Sequence, residues 1–436
     1  MMIGRIYLSV FLLVLFVTTI PVCLYAREYS LEDLYRIALE RAERIKLSEE
    51  DLYIAKTGKD KAVAALLPRL SAFGSYTKYT TEQYNDTGTL LQPNSATSWG
   101  LRADESLSLS GRELTAFNIS KENIVKSQYD LYATREGYLL TIASAYYDVM
   151  KAKKVVDIAE SNLERLSKYR DAAEKRLKVG EVTKTVLFRA EGELSGARSD
   201  AIKAVNSLEL TKAILARTVG IAGDFQLKET APHDMQILPE SSFQELAFSQ
   251  RADLKSLEIQ KKMAEEQVRY TKGGYWPTLS VSGVYAGADQ SPDTLTLIKD
   301  SRYGMLSLNF PFFEGGLTRA QINEARARER QSGLLYDDFK KSIGVEVQGA
   351  YLDLVTQKGI LKYLEDQVVY ARDNFNAVSK QFEFGLAQSL DVMDANTLLV
   401  TAERSLVQAV YDYQVAILKM KKATGTLLKA VVGEGS

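Results

Sequence analysis

"LPRLSAFGSY", residues 67 to 76, returns 209 residues later as "WPTLSVSGVY", residues 276 to 285, and this recurrence decides the fold. Pro68, Leu70, Gly74 and Tyr76 align with Pro277, Leu279, Gly283 and Tyr285. Farther along, "AYYDV" (145–149) matches "AYLDL" (350–354), Gly180 matches Gly385, and "ARTVG" ending at Gly220 matches "KKATG" ending at Gly425, at a shift of 205. One unit of about 205 residues is therefore written twice. That is far longer than a solenoid repeat and reads as a duplicated half-domain. The second copy is four residues shorter, and the loss falls in 82–97 and 287–300, whose Gly, Pro, Asn and Asp content predicts loops.

The segments after those loops alternate. Trp99, Leu101, Ala103, Leu107 and Leu109 interleave with Ser98, Gly100, Arg102, Asp104, Ser106, Ser108 and Ser110, with Glu105 the one break in the apolar face. Leu306, Leu308, Phe310 and Phe312 interleave with Met305, Ser307, Asn309 and Pro311. With "LSAFGSYTKY" and "LSVSGVYAGA" this predicts four strands in two hairpins, of the length and two-faced character that a membrane barrel needs. Leu107, Leu109, Leu308 and Phe310 are expected toward lipid, Arg102 and Ser106 toward a lumen.

The remainder is helical in pattern. No proline interrupts Arg112 to Lys178, enough for about 100 Å of helix, and Leu317 to Phe384 repeats this. Leu361, Leu364, Val368, Ala371, Phe375, Val378 and Phe382 follow a 3,4 spacing, as do Leu399, Ala402, Leu406, Ala409, Tyr413, Ala416 and Met420. Both are coiled-coil seams. Half-length helices are expected at Leu31–Leu66, Leu187–Val219, Phe243–Gly274 and Val392–Thr424, two of them lining each long helix from end to end. The result is a rod with strands at one end and tight turns at the other.

Lys plus Arg (55) and Asp plus Glu (56) balance to a net charge of -1, and no basic stripe occurs, so no nucleic-acid partner is expected. Residues 1–26 carry Arg5, an apolar run from Ile6 to Val17 and a small residue at Ala26, which reads as a cleavable signal peptide. Val22 before Cys23 disfavours lipidation at the one cysteine. No later stretch is apolar enough for a membrane helix, so an exported chain that meets a membrane does so as a β-barrel. The one histidine, His233, lies in a linker. Without other His or Cys residues, and without a phosphate-cradling glycine loop, no catalytic site, metal site or cofactor is expected. The domain reading is signal peptide 1–26, first repeat 27–220, linker 221–240, second repeat 241–425 and tail 426–436. A competing reading is an exported structural coiled-coil protein of the envelope, which leaves the two hairpins unexplained.

In "FEFGLAQSLDVMDANTLL" (382–399), Asp391 and Asp394 sit three residues apart where a helix restarts. Acids at that place serve as helix caps. The matching positions in the first copy are Val186 and Arg189, so the helix start itself does not require two acids.

Signal peptide, duplication, paired hairpins, long seams and the Gly turn before "SLDVMDA", together with "FPFFEGG" (310–316) closing a strand, resemble the TolC family of outer-membrane efflux ducts over essentially the whole mature chain. The resemblance implies a mainly α fold carrying a transmembrane β-barrel. In it, three chains contribute four strands each to one twelve-stranded outer-membrane barrel, and their helices form a hollow α-barrel in the periplasm. It implies an exit duct of a tripartite efflux or type I secretion system, working with a periplasmic adaptor and an inner-membrane pump or ATP-driven transporter. Gly180, Thr185, Gly385, Leu386 and Ser389 match the periplasmic tip that meets the adaptor. Asp391 and Asp394 align with the acidic constriction, where three chains place six carboxylates and where Arg189 is expected to pair with Asp394. Phe382 and Ala387 replace a tyrosine and an arginine that help to lock some closed channels of the family.

Overall fold

A computed structural model of the chain describes residues 27–222, 224–229, 234–294 and 297–432. The expected signal peptide, Cys23 and His233 lie outside the described residues. After β1 (Arg27–Tyr29) come α1 (Leu31–Arg41) and α2 (Glu43–Ala64), then β2 (Arg69–Lys78), the short β3 (Gln83–Tyr84) and β4 (Leu90–Gln92), and β5 (Ser95–Ser108). The long α3 (Arg112–Lys178) and α4 (Lys184–Val219) complete the first copy, and β6 (Phe225–Leu227) pairs in parallel with β1. The second copy runs α5 (Glu240–Gln250), α6 (Ala252–Lys272), β7 (Thr278–Ser291), β8 (Asp300–Asn309), α7 (Leu317–Glu383) and α8 (Ser389–Ala423), followed by α9 (Leu427–Val432). Both long helices have 67 residues, about 100 Å at 1.5 Å per residue.

The four main strands form one antiparallel sheet in the order β2-β5-β7-β8. Directly paired residues share a face, so the register extends each strand's alternation across the sheet. Leu101 pairs with Ala72 and Tyr285, Leu107 with Leu279, and Leu279 with Leu308, which makes one mainly apolar face, interrupted by Glu105 opposite Val281 and by Arg302 opposite Tyr285. Ser71 pairs with Arg102, and Ser106 with Ser280 on the opposite face, where the two serine hydroxyls lie 2.8–2.9 Å from their neighbours in two such pairs. Leu107 and Leu308 thus lie opposite Arg102 and Ser106. Leu109 and Phe310 fall just past the strands: the Leu109 N–H already donates to the carbonyl of Pro277 (3.0 Å). Pro311 has no N–H to give a ladder, which ends β8 three residues earlier than the alternation predicts.

The predicted loops are shorter than expected. β5 begins at Ser95, β7 runs to Ser291, and β3 pairs with β4 inside the first loop. Backbone ladders form regardless of side-chain polarity, so pairing continues beyond the apolar stretch. A second difference concerns the half-length helices before the strands. Each is two helices, broken at Ala42 (ψ 125°) and at Arg251 (ψ 121°), equivalent positions in the repeat. Beyond the break, α2 packs against α3, and α6 packs against both α3 and α7.

The seams pack as their spacing predicts. Val368 and Ala371 meet Leu399 and Ala402 between α7 and α8. Ile343, Val347 and Leu354 of α7 meet Tyr413, Ala416 and Met420 of α8 and Phe243 of α5. The two copies are not equally covered, however. α3 is flanked by α2 and α4 of its own copy and by α6 and α8 of the other, whereas α7 has α5, α6 and α8 along its length and meets α3 at the tip. Its free flank exposes Val345, Leu352, Tyr363 and Tyr370. No helix among the described residues is long and apolar enough to cross a membrane.

Candidate functional site at the helix tips

The far end of the rod from the sheet is built from two short connections, α3 to α4 and α7 to α8. Each long helix ends on a glycine in the left-handed region, Gly180 (φ 77°) and Gly385 (φ 76°), a conformation that side chains with a Cβ disfavour. The next N–H closes back five residues in each turn: Glu181 donates to the carbonyl of Arg176 (2.9 Å), and Leu386 to that of Gln381 (2.8 Å). This is the Schellman arrangement, and it satisfies carbonyls that the helix end leaves open. Both glycines are therefore caps, whatever else they do. Around them Val179, Phe384, Leu386 and Phe188 are all exposed, an apolar knob left uncovered by the described residues.

The two turns lie against each other. Arg176, in the last turn of α3, donates from Nη1 to the carbonyl of Phe382 (2.6 Å) and from Nε to Glu181 (2.9 Å), and its guanidinium lies 4.8 Å from the Phe382 ring centre. Tyr169 donates its hydroxyl to Ser389 Oγ (2.7 Å). Burial pushes the Tyr169 phenol up, against the opposing pull of the Ser389 hydrogen bond and of the positive Arg189 and Arg176. Further in, Asn396 of α8 donates to Asn162 of α3 (2.8 Å) and accepts from Arg165 Nε (3.2 Å). Burial lowers the Arg165 pKa, while nearby Glu403 raises it, and an arginine in this setting stays charged at any physiological pH. These bonds join α3 to α7 and α8, and so tie one helix pair to the other within one chain.

Of the residues marked in the sequence, Gly180, Gly385 and Leu386 form the turns, Ser389 is a buried anchor, and Thr185 is exposed at the start of α4, where Thr183 holds the N-cap position. Asp391 does not cap in the simple sense. Gln388 holds the N-cap, and Asp391, three residues on, accepts the Gln388 backbone N–H at 2.8 Å through one carboxylate oxygen. Asp394 follows one turn later. Both acids are exposed on one flank of α8, and among the described residues neither they nor Arg189 make an ion pair. Tyr169, Arg176, Arg165 and Asn396 carry no signal of their own in the sequence, being polar residues within long helices.

Removing the Arg176 side chain tests the tie. Arg176→Ala is expected to lower stability by about 2 kcal/mol, the scale of a hydrogen bond to a charged group, read by denaturant unfolding of the tip. Lys at the same position, able to make one bond but not the fork, is expected to recover part of that loss. Unchanged unfolding in both would show that the two turns are not coupled through Arg176.

Comparison with known proteins follows the same division into copies. A family model described as outer membrane efflux protein matches residues 34–220 and 244–426. The chain is 24% identical to outer membrane protein TolC of Vibrio cholerae over 308 residues, covering 69% of this chain and 70% of that protein. It is 23% identical to the alkaline protease secretion protein AprF of Pseudomonas aeruginosa, covering 91% of this chain and 85% of that one. Among solved structures, the Campylobacter jejuni CmeC outer membrane channel has a similar fold, with a TM-score of 0.82 at 17% identity over 91% of this chain and 86% of that chain.

Proposed function

The chain belongs to the outer membrane efflux protein family, and from that membership we propose that three copies join head to tail into a duct that carries cargo out through the outer membrane. The observation that carries the proposal is the unequal covering of the two long helices. Internal repeat makes α7 equivalent to α3, and α3 has two further helices along its flank. The missing neighbours of α7 are then α2 and α4 of another copy, and α4 does expose Ile202, Leu210 and Ile214. Such an interface joins unlike surfaces, so it closes only as a ring. The sheet supports the same reading, because β2 and β8 are unpaired edges that adjoining sheets would satisfy. Three copies, rather than two or four, is what the family resemblance implies.

Repeat equivalence names the test. The pair Asn162 and Asn396 touches inside one chain, and its counterparts at the same shift are Gln367 on α7 and Glu191 on α4, both exposed. Cysteines at Gln367 and Glu191 are expected to crosslink between copies and give a ladder ending at a trimer on a non-reducing gel. Monomer alone under oxidising conditions would sink the ring.

In that ring, Asp391 and Asp394 line the narrow end as six carboxylates, and the exposed apolar residues around Gly180 and Gly385 meet a periplasmic adaptor. The adaptor in turn links the duct to an inner-membrane pump or an ATP-driven transporter, in efflux or type I secretion. Crowded acids attract cations and repel anions. Capping and constriction are compatible, because one oxygen of Asp391 serves the Gln388 N–H and the rest of the carboxylate faces out. Asp391→Asn with Asp394→Asn keeps an acceptor for the cap and deletes the charge. Single-channel recording should then show a several-fold loss of cation preference with the melting temperature unchanged. Retained selectivity would remove these acids from the pore. Asp391→Ala should in addition cost about 1 kcal/mol through the lost cap.

A further inference from the structure

Beside the Arg176–Phe382 contact, between α3 on one side and α7 and α8 on the other, lies a cavity of about 190 Å³. We propose that it is a binding site for a small monocarboxylate with a compact apolar body, such as an aromatic acid. The site lies within a single chain and does not rest on the ring.

Three features of the wall carry the proposal. The first is a fixed cation with an unused donor. Arg165 is held in place by its Nε–H bond to Asn396 (3.2 Å), yet its Nη2 is buried without a hydrogen-bond partner. The nearest acid, Glu403, forms an ion pair with that nitrogen through Oε2 at 3.7 Å, beyond hydrogen-bond distance, while its Oε1 is held by Arg372 at 3.0 Å, so one carboxylate is shared by two guanidiniums. Lys168 and Glu383 also border the cavity, but both are exposed and screened by water. Buried nitrogens of this kind are rarely left unpaired, and an arginine fork is matched in shape and charge by a carboxylate.

The second feature is an opposing donor. Ser379, on α7, borders the same cavity, and its buried Oγ has no hydrogen-bond partner either. A carboxylate has two oxygens and accepts from both sides. The third is an apolar stretch of the lining: Phe375, Phe382 and Met393 border the space, beside Tyr169, whose hydroxyl is given to Ser389. A cavity of about 150 Å³ lined by apolar side chains accommodates a benzene ring, so this one has room for a ring and its acid group.

Benzoate is the probe. Titration calorimetry of the purified full-length protein in detergent, at constant chloride, should show saturable binding at one site per chain. Benzamide, the same shape without charge, should bind at least tenfold more weakly. Arg165→Gln should lose at least tenfold in affinity, and Ser379→Ala a few-fold. Met393→Trp, which fills the cavity and leaves Arg165 in place, should abolish binding, and it keeps the test intact if Arg165→Gln does not fold. Absence of saturable binding, equal binding of benzamide, or native affinity in Met393→Trp would overturn the site.

Discussion

Arginine at Leu101 is expected to cost about 2–4 kcal/mol and to prevent the protein from accumulating in the outer membrane. Leu101 stands midway along β5, pairs with Ala72 on one side and Tyr285 on the other, and is 61% exposed on the apolar face of the sheet. If that face meets lipid, a guanidinium there is placed where no water solvates it. One residue along, Arg102 points the other way and lies 5.8 Å from the Phe73 ring centre. Arg102→Gln is accordingly expected to change stability little. Unfolding in lipid vesicles, followed by the fluorescence of nearby Trp99, compares the two. The test belongs at Leu101 rather than at Leu109, because Leu109 lies past the end of the strand. Equal tolerance at positions 101 and 102 would mean that the alternation does not separate lipid from lumen.

The second large effect is expected at the other break in the repeat. Arg251 is 3% exposed and holds Asp253 with two bonds, of 2.6 and 3.0 Å, and Glu346 of α7 with one of 2.6 Å. Lys422 of α8 grips the other oxygen of Glu346 (2.6 Å). One guanidinium therefore joins the α5–α6 break to the long helix. Burial tends to raise the pKa of Asp253, but the hydrogen bonds and charge of Arg251 outweigh it and leave the carboxyl below its ordinary value. For Glu346 burial is likewise outweighed, by Lys422 and Arg251 together.

Arg251→Ala should cost about 3–5 kcal/mol at neutral pH, because it strands the half-buried carboxylate of Asp253 and leaves Glu346 with Lys422 as its one remaining partner. The first copy makes the same chain break with a buried alanine, Ala42, so the loss is one of charge compensation and not of backbone shape. The pH dependence follows from the sign of the shifts. An acid with a depressed folded pKa contributes stability above its unfolded pKa, near 4, and loses it as pH falls through the folded value. Native protein should therefore lose stability below about pH 4, while Arg251→Ala should show a shallower decline, and the penalty for the substitution should shrink in acid. A penalty of the same size at pH 3 and pH 7, by denaturant titration, would assign the loss to packing instead.

Much of the tip was legible in the sequence because its signals are local. A glycine after a long apolar-periodic run predicts a left-handed cap, and Gly180 and Gly385 are such caps. Two acids at the start of a helix predict a place in its first turns, and Asp391 takes it, although as the partner of Gln388 and not as the N-cap itself. The ties between the helix pairs were not legible. Tyr169 reaches Ser389 across 220 residues and Arg165 reaches Asn396 across 231, and nothing within a few positions of either residue distinguishes it from a solvated polar side chain.

By itself the sequence determined what depends on short-range periodicity and on repetition: two equivalent copies, four two-faced strands, two helices of 67 residues with their seams, and the turns that end them. Backbone geometry alone commits such segments, since an alternation of two or a 3,4 spacing gives each element one apolar side before it meets any other. Only the tertiary structure decided which elements lie together. It broke the helices at Ala42 and Arg251, gave α3 neighbours from both copies, left one flank of α7 without any, and chose Arg176, Tyr169 and Arg165 to join the copies. The physical reason is that a buried polar group is tolerated only beside its partner. That partner is fixed by how two hundred residues of intervening chain pack, not by the residues next to it.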